Sequence, residues 1–240
     1  MLFRSRTLKI DDKELAVEAG TSILEAAQQA GVPIPRLCHL EGVTPVGACR
    51  LCLVEVEGLN KLLPACVTEA VEGMVIHTQT AKLQEYRRMT VELIFAEGNH
   101  VCAICVANGD CELQDAAIQV GMDHSRFPYR FPDRAIDLSH PLFAIDHNRC
   151  ILCTRCVRVC DEIEGAHVWD VAQRGPDCYI VSGLNQPWGE VEACTSCGKC
   201  VDACPTGAIF KQGSTTGEKH ADTAKLEFLS TAREKHQWTR

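Results

Sequence analysis

Two stretches of this sequence share one cysteine spacing. CILCTRCVRVC carries Cys150, Cys153, Cys156 and Cys160; CTSCGKCVDACP carries Cys194, Cys197, Cys200 and Cys204, followed by Pro205. Both read C-x2-C-x2-C-x3-C, the spacing of cubane [4Fe–4S] sites. Three thiols at i, i+3 and i+6 on a curling loop can reach three corners of one cube. The fourth is carried off by the next turn and reaches the other cube. The expected sets are therefore Cys150, Cys153, Cys156 with Cys204, and Cys194, Cys197, Cys200 with Cys160. At this cysteine frequency chance would supply such a run about once in 3,000 trials. Structural zinc joins two separated C-x2-C pairs instead, so two compact runs of four thiols fit it poorly.

Two further constellations precede these. Cys38, Cys49, Cys52 and Cys66 are spaced C-x10-C-x2-C-x13-C, in RLCHLEGVTPVGACRLC and LPACV. A C-x2-C pair with a distant fourth cysteine suits a [2Fe–2S] cluster, although plant-type ferredoxins space their first pair at x4. Gly42, Gly47 and Ala48 are small enough for backbone N–H groups to approach cluster sulfur and tune its potential. His39 reads as a surface residue or a neighbour of that site rather than a ligand. In NHVCAICVANGDCELQ, Cys102, Cys105 and Cys111 follow C-x2-C-x5-C, with His100 as the local candidate for a fourth ligand. Cys178 is left over and reads as a plain buried thiol in a strand.

Sixteen of 240 residues are cysteine, only 13 are aromatic, and 32 acidic residues against 24 basic give −8 at neutral pH. That balance argues against nucleic acid as a partner. MLFRSRTLKIDDKEL has no secretory signal pattern, and no apolar run reaches the length of a membrane span. A cytoplasmic, reducing compartment is expected, where a cysteine-rich chain binds metal rather than forming disulfides.

The elements expected around these motifs are few. LFRSRTLKI and KELAVEA form a hairpin through Asp11-Asp12. TSILEAAQQAG is a helix capped by Thr21 or Ser22, with Glu25 in register for a capping box. RLCLVEVEG and GMVIHTQT are strands. AKLQEYRRMTVELIFA is an amphipathic helix with Leu83, Tyr86, Met89, Leu93 and Ile94 on one face. A second short helix begins near Cys111. SRFPYRFPDRAID is extended because of Pro128 and Pro132. A short helix is expected over residues 225–234. The expected organisation is 1–79, 80–122, a linker at 123–140, 141–211 and a tail at 212–240.

In this order the constellations resemble the N-terminal part of the large iron–sulfur subunit of respiratory complex I. They are also similar to the N-terminal region of many iron-only hydrogenases and of NAD-dependent formate dehydrogenases. The resemblance covers residues 1–210 and implies a modular α+β fold. A [2Fe–2S] β-grasp domain (VGACRLCLVEVEG) comes first, then a [4Fe–4S] domain with one histidine and three cysteine ligands (NHVCAICVANGDCELQ). A 2×[4Fe–4S] ferredoxin-like unit follows. One [2Fe–2S] and three [4Fe–4S] clusters are implied. The family's histidine site is usually H-x3-C-x2-C-x5-C. Here it reads H-x1-C, and Gly98 stands at the usual offset. His100 still follows Asn99, as in the family's Asn-His pair, which makes it the implied fourth ligand beside Cys102, Cys105 and Cys111.

Those large relatives continue into catalytic domains. A chain of 240 residues instead looks like the small diaphorase (U, or gamma) subunits of NAD-reducing bidirectional nickel–iron hydrogenases. That resemblance implies a one-electron relay without catalytic residues of its own. Its partners would be a flavin (FMN) and NAD(H)-binding diaphorase subunit and the small and large nickel–iron subunits, with any membrane association peripheral and through partners. No G-x-G-x-x-G turn opens a βαβ unit here, so no dinucleotide site is expected on this chain. A relay subunit of another NAD-linked complex, such as a complex I relative or a split formate dehydrogenase, is the alternative. A non-redox zinc scaffold is a third reading.

Overall fold

The computed structural model of the chain describes residues 5–223 and Leu226. It is an α+β protein in two compact units. One runs to His39 and takes in Pro45–Glu92 and Ala116–Asp123; the other comprises Leu40–Thr44, Leu93–Asp115 and the chain from His124.

In the first unit, β1 (Ser5–Ile10) and β2 (Lys13–Glu18) pair antiparallel across Asp11-Asp12, Ile10 opposite Lys13. Asp11 takes φ +49°, the left-handed region that Asp tolerates better than most residues. Helix α1 (Ile23–Gln29) starts at Ser22, not Thr21. The Ser22 hydroxyl accepts from Glu25 N at 3.2 Å, and Ser22 N donates to the Glu25 carboxylate at 2.7 Å, the expected capping box. Strands β3 (Leu53–Val56), β4 (Leu63–Pro64) and β5 (Val75–His77) complete a sheet of order β2-β1-β5-β3-β4, with β1 and β5 parallel. Ile23, Leu24 and Ala27 of α1 pack on Leu8, Ile10, Val54 and Ile76 to form its core.

Helix α2 (Ala81–Glu97) forms where expected but buries a different face. Leu83, Arg87 and Val91, four residues apart, are buried, whereas Tyr86 and Leu93 are 41% and 40% exposed. A stripe drawn through apolar residues alone misses this, because the middle of the buried face is a guanidinium. Helix α3 (Glu112–Gln119) follows Cys111 as expected.

The second unit holds a three-stranded antiparallel sheet of order β10-β7-β6 and a hairpin. The sheet is β6 (Ile136–Asp137), β7 (Phe143–Asp146) and β10 (Ile209–Lys211); the hairpin is β8 (Trp169–Ala172) with β9 (Tyr179–Ser182). In the segment read as a linker, Phe131 before Pro132 takes φ +47° rather than the extended backbone expected there, and the segment also supplies β6 as an edge strand and buries His140 to 3% exposure. A two-residue strand is too short to show alternation in sequence. Helix α4 (Arg155–Arg158) passes into π-type turns over Val159–Glu164, and α5 (Lys199–Ala203) matches α4 in the second cysteine run. The helix expected over 225–234 falls outside the described residues apart from Leu226, which is buried against Val159 and Ile163.

Candidate iron–sulfur sites

The two cysteine runs fold alike. In the first, Leu152 and Thr154 have φ +52° and +57°; at the matching positions of the second, Ser196 and Gly198 have +56° and +74°. Left-handed residues between the thiols turn backbone N–H groups toward one side, the nest geometry that favours anionic sulfur. Three of these four positions are not glycine, so the sequence gives no sign of the conformation. Thr154 and Gly198 then cap α4 and α5, which carry Cys156 and Cys200.

The thiols line separate cavities. One is walled by Cys150, Cys153, Cys156 and Cys204, with Ile145 and Ile209. Another is walled by Cys160, Cys194, Cys197 and Cys200, with Trp169 and Trp188. The fourth cysteine of each run thus faces the other run's cavity, and the π-turns place Cys160 there. Burial raises Cys150 to about 11 and Cys153 to about 12, and raises Cys156 and Cys200 as well; repulsion from neighbouring thiolates adds to the rise at each of these four. Buried sulfurs so unfavourable as bare thiolates need a cationic group to hold them deprotonated.

A third cavity is lined by His100, Cys102, Cys105 and Cys111, with Phe95 and Arg149. Desolvation lowers the His100 pKa to about 4, with Arg149 adding to the effect, so the imidazole is neutral. Its Nε2 is buried without a hydrogen-bond partner. A neutral ring with an unsatisfied nitrogen, in a cavity shared with three thiols, has the donor chemistry of a metal ligand. Gly98 has a role other than coordination. A Cβ there would lie 2.6 Å from His100 Nε2 and 2.8 Å from Cδ2, so the shortened loop folds the imidazole over the glycine. Gly98→Ala is therefore expected to displace the ring and remove about four irons per chain, leaving the other centres loaded; iron analysis with low-temperature EPR checks this.

This third cavity and the first share Thr206 as a wall. Gly207 lies so close to Cys105 Sγ that a side chain there would collide with it. Glu112, beside Cys111, pairs with both Arg155 terminal nitrogens at 2.5 and 2.7 Å, and its N–H donates to Pro205 O. Lys219, from the segment read as a polar tail, is buried, and its ammonium donates to Cys204 O and Thr206 O at 2.7 Å each. Neither Lys219 nor Arg155 stands out in the sequence; a lysine inside GEKH reads as solvated.

In the first unit, Cys52 and Cys66 Sγ are 3.4 Å apart, and Cys49 N donates to Cys38 Sγ at 3.4 Å. The Cys49 and Cys66 thiols hold the Cys38 sulfur well below the ordinary thiol range and are themselves pushed up by it. All four are thus brought together, with Cys38, Cys52 and Cys66 each 1% exposed. His39 is buried, not on the surface. The loop is held from α2: Arg87 Nε donates to Leu51 O at 3.1 Å, Nη2 to Leu53 O at 3.0 Å and Nη1 to Thr78 O at 2.8 Å. Leu51 and Leu53 flank Cys52. Desolvation lowers the Arg87 pKa, and the charges of Cys52 and Asp11 oppose that shift.

Cys178 stands apart. It precedes β9, is half-buried, and donates to Gln173 O at 3.5 Å. Among the described residues no three His, Cys, Asp or Glu groups close tightly enough to hold a single ion.

Comparison with known proteins finds iron–sulfur regions along most of the chain. Residues 4–81 match a 2Fe-2S iron-sulfur cluster binding domain. Residues 87–126 match the NADH-ubiquinone oxidoreductase-G iron-sulfur binding region, and residues 140–210 the ferredoxin-like domain of NADH-quinone oxidoreductase subunit 3. The NADH-quinone oxidoreductase G 2 subunit of Rhizobium meliloti is 42% identical over 204 residues, 84% of this chain but 23% of that protein. The chain thus spans about a quarter of the length of such relatives. The HoxS gamma subunit of the NAD-reducing hydrogenase of Cupriavidus necator is 34% identical over 206 residues, 85% of this chain and 86% of its own length. A chain in the crystal structure of an NAD+-reducing [NiFe]-hydrogenase in the H2-reduced state superposes with a TM-score of 0.82 at 35% identity, covering 88% of this chain and 89% of its own. Similarity along nearly the whole of two such chains places this one in a single group: it belongs to the family of the gamma subunit of NAD-reducing hydrogenases.

Proposed function

We propose that this chain is the iron–sulfur relay of a NAD(P)-reducing bidirectional hydrogenase, passing single electrons between a flavin and NAD(H) subunit and the nickel–iron subunits. The observation that carries this is the sorting of every cysteine except Cys178, together with His100, into four separate sites. We assign Cys38, Cys49, Cys52 and Cys66, on a β-grasp sheet, to a [2Fe–2S] cluster. The three [4Fe–4S] clusters go to His100 with Cys102, Cys105 and Cys111; to Cys150, Cys153, Cys156 and Cys204; and to Cys160, Cys194, Cys197 and Cys200. We assign these sites to the sequence modules 1–79, 80–122 and 141–211; the compact units divide differently, with Pro45–Glu92 and Ala116–Asp123 in the first and Leu93–Asp115 in the second. Cavities ringed by sulfurs that do not close on one ion fit multi-iron groups better than zinc.

The clusters supply one-electron chemistry; this chain's residues deprotonate toward them, hold them and exclude water. Thr206 and its flanking Pro205 and Gly207 join two of the sites through a few bonded atoms, a short path for an electron. No helix among the described residues is long and apolar enough to cross a membrane. Cysteines used as metal ligands rather than in disulfides favour a reducing, cytoplasmic setting.

Anaerobic purification through a tag on this chain tests the proposal. The expected eluate contains nickel and about 14 irons per copy of this chain, beyond those of its partners, and reduces NAD with hydrogen. An eluate that passes electrons from NADH to a quinone, or oxidises formate, but is inert to hydrogen would overturn the hydrogenase reading. It would move the chain to the NADH-quinone oxidoreductase side of its relatives.

A further inference from the structure

The cavity of Cys160, Cys194, Cys197 and Cys200 differs from its twin in the rings around it. Trp188 is 1% exposed, and its indole Nε1 donates to Cys194 Sγ at 3.3 Å. His140 is 3% exposed, and its Nε2 lies 3.8 Å from the same sulfur and 3.1 Å from Ser196 Oγ. The tautomer follows from the other nitrogen. Nδ1 accepts from the backbone N–H groups of Leu142 at 3.1 Å and Phe143 at 3.2 Å, so the proton sits on Nε2. Trp188 therefore donates its N–H to Cys194, and the His140 N–H is shared between Ser196 Oγ and the more distant Cys194 sulfur. The cavity of Cys150 and Cys204 has no aromatic ring in its wall.

These rings are fixed tightly. His140 stacks on Trp188 with centroids 4.6 Å apart, and on Phe143 at 5.1 Å. Trp188 N donates to the Asp137 carboxylate at 2.7 Å, and Gly189 N to Ser139 Oγ at 2.8 Å. A side chain at Gly189 would run into the Ser139 carbonyl. The Gln212 amide donates to His140 O. Asp137, Ser139 and His140 all come from the stretch that reads as a linker in sequence, so that stretch builds one wall of the site.

We propose that Trp188 and His140 form a paired N–H clamp on the Cys194 sulfur that raises the reduction potential of the cluster held there. The inference rests on the cluster assignment above. Reduction adds negative charge that spreads onto the sulfurs, and a fixed N–H donor stabilises that charge without having to reorganise. Both groups are positioning residues: they act through Cys194. Because stacking holds the rings, phenylalanine can keep the packing at Trp188 while deleting the donor.

The test is an EPR-monitored redox titration of the purified complex carrying Trp188→Phe or His140→Phe. Each variant is expected to keep its iron and to make one [4Fe–4S] cluster roughly three- to tenfold harder to reduce at a given potential. The larger figure corresponds to a fall of ~59 mV for one electron; the other clusters stay put. Full iron content with no cluster shifted, or with all shifted alike, would overturn the clamp. A second measurement needs no variant. In wild-type complex with 15N-indole tryptophan, pulsed EPR of the reduced cluster should show coupling to an indole nitrogen, and its absence would also overturn the proposal. Wild-type complex lacking a third [4Fe–4S] signal would instead sink the underlying cluster assignment, and the clamp with it.

Discussion

Replacing Arg87 with methionine is expected to destabilise the first unit by about 4 kcal/mol and to empty its [2Fe–2S] site. The size follows from what the guanidinium satisfies. Three carbonyls, of Leu51, Leu53 and Thr78, accept from three different nitrogens of one side chain that is 1% exposed. A methionine fills much of the space and leaves three acceptors without that donor, each costing on the order of 1–3 kcal/mol when buried, with partial relaxation. Two of these carbonyls lie on either side of Cys52, so the loss is felt first where the thiol must be held. The Thr78 carbonyl extends the network. Thr78 donates through N and Oγ1 to the Asp11 carboxylate, at 2.7 and 2.6 Å, in the turn of the β1–β2 hairpin. Lysine is expected to rescue little, because an ammonium cannot reproduce the planar fork that reaches both sides of Cys52. The check is the [2Fe–2S] signal in EPR and visible circular dichroism, read beside the [4Fe–4S] signals of the same sample. Loss of the first with retention of the others is the predicted pattern. An undiminished [2Fe–2S] signal in Arg87→Met would show that the loop does not depend on this side chain.

The second large effect is at His100. His100→Ala is expected to lose about four irons per chain, because three thiols remain where four donors are needed. His100→Cys is more informative. A neutral imidazole in place of a thiolate removes one negative charge from the cluster, which raises its potential. Putting the thiolate back should lower that potential by on the order of 100 mV, provided the site assembles. The structure supports this through the neutral, desolvated ring and its unpartnered Nε2. An unchanged spectrum and potential in His100→Ala would remove the histidine from the site.

Much of this was legible in the sequence, and particular residues show why. The cysteine spacings prescribe the cavities because loops of fixed length can bring those sulfurs to few other places. The capping box at Ser22 and Glu25 and the hairpin at Asp11-Asp12 are local, and local signals survive folding. What was hidden is non-local or against type. Arg87 breaks the apolar stripe of α2, and only the loop around Cys52 explains its burial. Leu152 and Thr154 adopt a left-handed backbone that sequence habit reserves for glycine. The π-turns that swing Cys160 across give no periodic signal. Lys219 and His140 sit in stretches that read as tail and linker, and each is buried because carbonyls or rings far along the chain receive it. The residues around the sulfurs that shape each site were thus the least visible part.

The relay role requires electrons from both substrates to pass through this chain. The most direct measurement is low-temperature EPR of the anaerobic complex frozen after mixing with NADH alone or with hydrogen alone. The [2Fe–2S] and [4Fe–4S] signals assigned to this chain, identified by their loss or shift in the Arg87→Met and His100→Ala samples, are expected to appear with either reductant. If dithionite develops those signals while NADH and hydrogen both leave them silent, the clusters are present but not on the path, and the relay is wrong.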